Sequence, residues 1–170
     1  MKKVFLIVCL SVLCVALSAK VKITSGSAAF LKEEATAVLV MDYSEATWED
    51  DQSYQSWCGE DYEQRVELSY SSVALGFNKN SDNLKIRQQD SATARYRITI
   101  KVETMEQKMG GGWGRFYTMC TGTLTVVDIS TGAVVCTAQI KREDGDTDYV
   151  PNDRLAKCFF HVGKAMARMR

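Results

Sequence analysis

Three aspartates alternate with other residues in the segment Glu143-Asp144-Gly145-Asp146-Thr147-Asp148. Alternating carboxylates occupy the first positions of the calcium-binding loop of an EF-hand, where oxygen ligands surround a hard cation. That loop also requires glycine at its sixth position and glutamate at its twelfth, where this sequence has Tyr149 and Leu155. We therefore predict a solvated acidic loop here and no metal site.

A glycine-rich run, Gly110-Gly111-Gly112-Trp113-Gly114, could present bare backbone N–H groups to a phosphate. A phosphate loop leads from a strand into a helix, however, whereas this run lies between two segments with strand-like patterns and lacks the Gly-Lys-Ser/Thr ending. We interpret it as a hairpin tip that carries Trp113 between Lys108 and Arg115. These three residues are the predicted partner-binding residues, and the alternative is a Trp113 packed over the sheet edge.

No constellation of catalytic residues is apparent. His161 is the only histidine, and it has no designated serine or cysteine partner for a nucleophilic triad. The segment Asp128-Ile129-Ser130-Thr131-Gly132 has the composition of a hairpin turn and differs from the Asp-Thr-Gly signature of acid proteases. We predict that the protein is not an enzyme and that it uses no cofactor.

The segment 44–59 is acidic and aromatic, has no periodicity, and contains Trp48, Tyr54 and Trp57. Aromatic rings flanked by carboxylates could form a platform for a carbohydrate or a peptide. We favour the other interpretation, a long loop that Trp48 and Trp57 hold against the core.

The N-terminus has the features of a secretory signal peptide. Met1-Lys2-Lys3 is positively charged, and the apolar run from Val4 to Leu17 ends in the small residues Ser18 and Ala19. The run is shorter than the roughly 20 apolar residues that span a bilayer, so we expect no stable membrane anchor. The prediction is a cleaved signal peptide over residues 1–19 and a single α+β domain over residues 20–170, periplasmic or extracellular.

Loss of this segment changes the charge balance. It removes Lys2 and Lys3, which leaves 19 basic against 21 acidic residues and a net charge of −2. A mildly acidic protein is a poor partner for nucleic acid, which draws affinity from concentrated positive charge. We therefore expect no nucleic acid partner.

Four cysteines remain in the mature chain, Cys58, Cys120, Cys136 and Cys158. In an oxidising compartment they could form two disulfides in any of three connectivities, or they could stay as buried thiols. In the predicted hairpin, Leu124 faces Cys136, so Cys120 lies four residues further along, about 13 Å away. That distance exceeds the roughly 7 Å between bridged Cα atoms, so we predict that these two are not partners.

Hydrophobic periodicity predicts the elements that position these residues. Strands are predicted at 20–24, 35–43, 95–103, 116–127 and 133–141. The first helix is predicted over 60–77, with Tyr62, Val66, Tyr70, Val73 and Phe77 in one stripe. A second helix is predicted after Pro151, with an apolar arc of Leu155, Cys158, Phe159, Val162, Met166 and Met169. Together they predict a two-layer α+β sandwich, a largely antiparallel sheet of about five strands with two helices on one face.

Several segments resemble a group of small exported bacterial proteins of uncharacterised function. They are Ser25-Gly26-Ser27-Ala28-Ala29-Phe30-Leu31-Lys32, Met41-Asp42-Tyr43-Ser44, Val127-Asp128-Ile129-Ser130-Thr131-Gly132-Ala133-Val134 and Gly163-Lys164-Ala165-Met166. More distantly, the strand–turn–strand–helix ending resembles the periplasmic domain of the curli-secretion lipoprotein and of the penicillin-binding-protein activator lipoproteins. This resemblance implies an assembly or regulatory module, and it supplies no catalytic residues.

The leading functional hypothesis is a non-enzymatic envelope module that binds a protein or an envelope polymer. The alternative is a periplasmic protein that binds a small molecule or a lipid between its sheet and its helices. A deep apolar cavity between the layers would favour the alternative, and a solid core with exposed aromatics would favour the module.

If the protein is exported, its signal peptide is removed and the mature chain has a new N-terminus. Protein purified from the native host should begin near Ala19 or Lys20, because the small residues at 18 and 19 follow the apolar run directly. Intact-mass measurement tests this, and a mass that includes Met1 would contradict it.

Overall fold

The computed structural model describes residues 20–49, 51–87, 93–110, 115–146 and 151–170, and the predicted signal peptide lies outside them. The described strands are β1 (Lys20–Gly26), β2 (Thr36–Asp42), β3 (Thr47–Trp48), β4 (Gln52–Ser53), β5 (Lys85–Arg87), β6 (Tyr96–Gly110), β7 (Arg115–Asp128) and β8 (Val134–Asp146). The helices are α1 (Tyr54–Cys58), α2 (Tyr62–Asn78) and α3 (Pro151–Met166), and 3-10 turns lie at Ala29–Lys32 and Gly59–Asp61. The fold class is α+β, as predicted.

The strands form one sheet in the order β1-β8-β7-β6-β2-β5, with β3 paired to β6 and β4. Pairs among β1, β8, β7 and β6 are antiparallel, whereas β2 runs parallel to β5 and to β6. The predicted sheet is thus corrected in two respects, because the described sheet has eight strands and is mixed. The strands that were not predicted have only two or three residues, too few to show a period. The parallel pairing follows from α2, since a helical crossover between strands of one sheet leaves them parallel.

The core lies between the sheet and the long helices. The core-facing side chains of β6, β7 and β8 are at most 2% exposed: Ile98, Ile100, Val102, Leu124, Val126, Cys136, Ala138 and Ile140. Arg97, Thr99 and Lys101 lie on the opposite face of β6, which confirms the alternation predicted there. The sheet therefore has one buried face and one face open to water.

The helical predictions hold to different extents. Every residue of the arc predicted for the last helix is buried, including Met169, which lies three residues past the end of α3. Along α2, Val73 and Phe77 are buried, but Tyr62, Val66 and Tyr70 are only half-buried. The face of α2 that is fully buried also includes Ser69, Ser72 and Gly76, because this face packs against α3 as well as the sheet. Within the described ranges, no helix has the length and apolar character needed to cross a membrane.

Two glycines set the distance between α2 and α3. A Cβ atom on Gly76 would lie 2.0 Å from the carbonyl oxygen of Phe160 in α3. A Cβ atom on Gly163 would lie 2.1 Å from the carbonyl oxygen of Val73 and 2.8 Å from the backbone nitrogen of Phe77 in α2. The glycine of each helix therefore leaves room for the backbone of the other helix. A larger residue at either position would force the helices apart.

The turn between β7 and β8 has the predicted hairpin form. Asp128 Oδ1 accepts hydrogen bonds from Ser130 N at 2.9 Å and from Ser130 Oγ at 2.6 Å. These bonds lower the pKa of the Asp128 carboxyl. Gly132 has φ 71°, a left-handed conformation that glycine adopts without strain. The segment 128–132 is thus a turn closed by its own side chains.

The register of this hairpin corrects the predicted cysteine geometry. Cys136 lies opposite Val126, and Leu124 lies opposite Ala138. The pairing of Val127 with Val134 is already one residue away from the predicted register, and the irregularity between Val126 and Val127 shifts it by one more. Cys120 is opposite Arg142, still further from Cys136 than predicted. Cys58, Cys120, Cys136 and Cys158 are all buried.

Substitution of Gly163 by alanine tests the contact between the helices. Alanine normally stabilises a helix interior by roughly 0.5–1 kcal/mol relative to glycine. Here the added methyl group would overlap the α2 backbone, and overpacking costs about 1–3 kcal/mol. We expect Gly163→Ala to lower the melting temperature by about 3–10 °C in thermal denaturation.

Ser71→Ala, on the exposed side of α2, is the control for this substitution. Its melting temperature should stay close to that of the wild type, because exposed substitutions are usually neutral within about 0.5 kcal/mol. A Gly163→Ala protein as stable as the wild type would contradict the close helix contact.

Candidate functional site

Three strands continue past the rest of the sheet. The pairing of β2 with β6 ends at Lys101, and the pairing of β3 with β6 ends at Met105. β6 and β7 stay paired as far as Gly110 and Arg115, and β8 stays beside β7 up to Asp146. Five residues of β6 beyond Met105 correspond to about 16 Å of strand. We call the segments 106–110, 115–119 and 143–146 the arm.

The predicted partner-binding residues belong to this arm. Lys108 is in β6 opposite Tyr117, and Arg115 begins β7 opposite Gly110. This antiparallel pairing confirms that the glycine-rich run connects two strands and is not the entry to a helix. Trp113 lies outside the described residues.

The acidic segment predicted as a solvated loop is partly strand. β8 extends through Glu143, Asp144 and Asp146, because the partner strand β7 supplies hydrogen bonds along this length. Asp148 lies outside the described residues. His161, in α3, is half-buried next to Phe160, with ring centroids 5.7 Å apart.

Two tryptophans stack beside the base of the arm. The rings of Trp48 in β3 and Trp57 in α1 are 3.5 Å apart and inclined by 7°. Tyr54 lies 5.8 Å from Trp57, and Tyr43 stacks on Tyr54 at 5.2 Å. The tryptophans are half-buried and pack against the core, which agrees with the interpretation of a segment held against the core.

Short hydrogen-bonded elements hold this aromatic segment in place, so the loop predicted over 44–59 is more ordered than its sequence indicates. Glu49 donates its backbone N–H to Met105 in β6 at 2.9 Å, and Tyr54 donates to Ala46 at 2.8 Å. Ser53 caps α1 by accepting the backbone N–H of Ser56 at 3.1 Å. These contacts fix Trp48 and Trp57 relative to the sheet.

Arg65 of α2 completes the stack. Its guanidinium carbon lies 4.8 Å from the centroid of the Trp57 ring, so Trp57 is held between Trp48 and Arg65. The side chain of Arg65 is 15% exposed, and its Nη2 is 3.8 Å from Asp61 Oδ2. Among the described residues, Nε of Arg65 has no hydrogen-bond partner.

The neutral groups near Arg65 stay protonated at physiological pH. Burial raises the pKa of Tyr54, Cys58 adds to this increase, and the charge of Arg65 opposes it. Burial also raises the pKa of the Cys58 thiol, against the hydrogen bond with Tyr54 and the charge of Arg65. The positive charge of this cluster therefore comes from arginines, from Arg65 in α2 and from Arg154 in α3.

These side chains enclose a small pocket of about 20 Å³ where the arm leaves the core. Its lining consists of Trp48, Tyr54, Trp57, Arg65, Met105, Gln107, Thr118, Arg154 and Leu155. The volume is enough for about one water molecule. We call this site the arginine pocket.

Sequence reasoning found the tryptophans of the arginine pocket and missed its two arginines. Asp61 and Arg65 are four residues apart on a helix, a spacing typical of an exposed ion pair. Arg154, only 5% exposed, follows the predicted start of α3 and carries no motif. Their role depends on tertiary contacts, which no local pattern shows.

No protein-family model matches the chain, and no curated protein is similar to it in sequence. Among solved structures, the PelC dodecamer from Paraburkholderia phytofirmans has a TM-score of 0.52 and 20% identity, over 89% of this chain and 99% of PelC. Protein XCC0632 from Xanthomonas campestris, of family model DUF330, has a TM-score of 0.51 and 12% identity, over 89% of this chain and 91% of its own.

These similarities show a shared fold. Both proteins are bacterial, in agreement with the resemblance to small bacterial proteins of uncharacterised function. The resemblance to the curli-secretion and penicillin-binding-protein activator lipoproteins stays a prediction from the sequence. The chain thus shares the fold of PelC and of XCC0632.

Proposed function

We propose that the chain is an exported, non-enzymatic module of the bacterial envelope that binds a protein or polymer partner through its arm. The projection of the arm beyond the sheet carries this proposal, because the backbone pairing places Lys108 of β6 and Arg115 of β7 at the same end of the sheet. The predicted signal peptide and the bacterial fold relatives support the location. PelC forms a dodecamer, so a second copy of the chain is among the partners that this proposal admits.

The environments of Cys58 and Cys120 support a role other than catalysis. A catalytic thiol needs a lowered pKa, because the thiolate is the reactive form. Burial raises the pKa of Cys58, and it raises the pKa of Cys120 to about 12 with a further contribution from Glu103. These cysteines are better explained as members of the core.

The packing of the core supports the binding module over the lipid-binding alternative. Ile98, Ile100 and Leu124, which face the helices from the middle of the sheet, are at most 1% exposed. Two described grooves lie at the surface: one of about 810 Å³ beside residues 80–83 and the C-terminal residues, and one of about 380 Å³ between β2 and α2. Both grooves differ from the enclosed apolar cavity that a lipid between the layers would require.

Substitution of Trp113 tests the proposal. We expect Trp113→Ala to weaken binding by about 1–3 kcal/mol, roughly 5- to 150-fold in Kd, as for a central aromatic contact. Its melting temperature should be almost unchanged. The measurement is a pull-down from the native envelope, followed by a binding isotherm with the captured partner.

Trp57→Ala is the matched control, because Trp57 is half-buried between Trp48 and Arg65. That substitution should lower the melting temperature by several degrees. If Trp113→Ala instead loses several degrees and binds the partner normally, Trp113 is a core residue and the proposal is wrong.

A further inference from the structure

One edge of β2 is only partly covered by another strand. On its inner side β2 pairs with β6 over residues 37–42, whereas on its outer side β5 pairs only with residues 36–38. Among the described strands, none pairs with the outer side of residues 39–42. Four residues of a strand correspond to about 13 Å. The outer edge of β2 is therefore open between β5 and the turn that follows Asp42.

The backbone groups of this open edge point outward. Ala35 O accepts a hydrogen bond from the backbone of β5, and Thr36 O accepts one from the residue that precedes β6. Successive residues of a strand direct their N–H and C=O groups to opposite sides, so the odd-numbered residues of β2 face the outer edge. The C=O group of Leu39 and the N–H and C=O groups of Met41 thus face the open stretch. Such a row of ladder groups is complementary to another extended backbone.

A groove of about 380 Å³ lies along this open stretch, between β2 and α2. Its described lining consists of Val38, Leu39, Val40, Met41, Val66, Glu67 and Tyr70. Val40 is 41% exposed, and Val66 and Tyr70 of α2 are half-buried. The apolar stripe of α2 therefore continues beyond the closed core and forms one wall of the groove. We call this site the edge groove.

Glu67 gives the edge groove its charge. It is the one charged residue in the described lining, and its side chain is exposed. Burial raises the pKa of Tyr70, and the charge of Glu67 adds to this increase, so the carboxylate lies near the apolar wall. A carboxylate in this position favours a lysine or an arginine in a segment that lies beside it.

The chemistry of the edge groove favours an extended protein segment as its occupant. A lipid or a small apolar ligand would contact the apolar wall and leave the ladder groups of Leu39 and Met41 without a partner. An added strand supplies hydrogen bonds to these groups, and its alternate side chains point toward the wall formed by Val66 and Tyr70. The open stretch matches about four residues of such a strand.

We infer that the edge groove binds an extended segment of a protein partner, which joins the sheet as a strand beside residues 39–42 of β2. Apolar side chains of the segment contact Val66 and Tyr70, and a basic side chain lies next to Glu67. The edge groove is separate from the arm, so this inference goes beyond the proposed function and does not depend on it.

The test adds the peptide acetyl-Lys-Val-Lys-Val-Lys-Val-amide to the mature protein and follows the ¹⁵N–¹H resonance and the hydrogen exchange of the Met41 amide. In the free protein this amide should exchange rapidly, because it faces the open edge. The lysine peptide should shift its resonance and slow its exchange. An analogue that is N-methylated at every residue keeps the side chains and loses the N–H donors, so it should bind about 10-fold more weakly or less.

Glu67→Lys tests the charge preference of the edge groove. The wild type should prefer the lysine peptide to acetyl-Glu-Val-Glu-Val-Glu-Val-amide by about 3-fold or more, and Glu67→Lys should reverse this preference. Asp82→Lys is the matched control, because it changes the net charge equally at an exposed position in the turn after α2, outside the edge groove. This control should keep the preference of the wild type.

A Met41 amide that is already protected in the free protein, or that the lysine peptide leaves unchanged, would overturn the inference. Equal binding of the N-methylated analogue would also overturn it, because the groove would then recognise side chains without strand addition. Protection that grows with protein concentration in the absence of peptide would assign the edge to a second copy of the chain and would overturn it as well.

Discussion

The close contact between α2 and α3 is the constraint on which the described architecture depends. Gly76 leaves room for the backbone carbonyl of Phe160, and Gly163 leaves room for the backbone carbonyl of Val73. The two helices can therefore lie side by side on one face of the sheet. α3 packs on β7, β8 and β1, while α2 packs on β2 and β5. This arrangement closes the core over the middle of the sheet and leaves the far ends of β6, β7 and β8 to form the arm. It also places the first half of α2, and therefore Arg65, beside Trp57 at the base of the arm.

Much of this fold could be predicted from the spacing of the hydrophobic residues along the sequence. The arc of α3 was predictable because its apolar residues all pack on one side, and β6 was predictable because Ile98 and Ile100 alternate with Arg97 and Thr99. Short strands such as β5 could not be predicted, since three residues show no period. The buried face of α2 was misjudged for a different reason: Ser69 and Gly76 are polar or small, so they do not mark a buried face in the sequence. Gly76 is buried because the backbone of α3 lies against it.

The candidate site shows the same division between local and tertiary information. The pairing of strands on either side of the glycine-rich run was predictable, and so was the packing of Trp48 and Trp57, because glycine runs and clustered aromatics are visible in the sequence. The extension of β8 through Asp144 was not, since aspartate and glycine are poor strand formers and the pairing with β7 decides the outcome. The arginine pocket was also not predictable, because the turn at Gly59–Asp61 brings α1 and α2 together and places Trp57 against the guanidinium of Arg65.

The central claim, that a partner contacts the arm end of the molecule, can be tested most directly by site-specific photo-crosslinking in the native envelope. A photoreactive phenylalanine derivative would replace Trp113 in one variant and Asp82 in another. Asp82 is exposed in the turn after α2, at the opposite end of β6. The account predicts a discrete crosslinked species from position 113 and none from position 82. A crosslink from position 82 alone, or equal crosslinks from both positions, would contradict it.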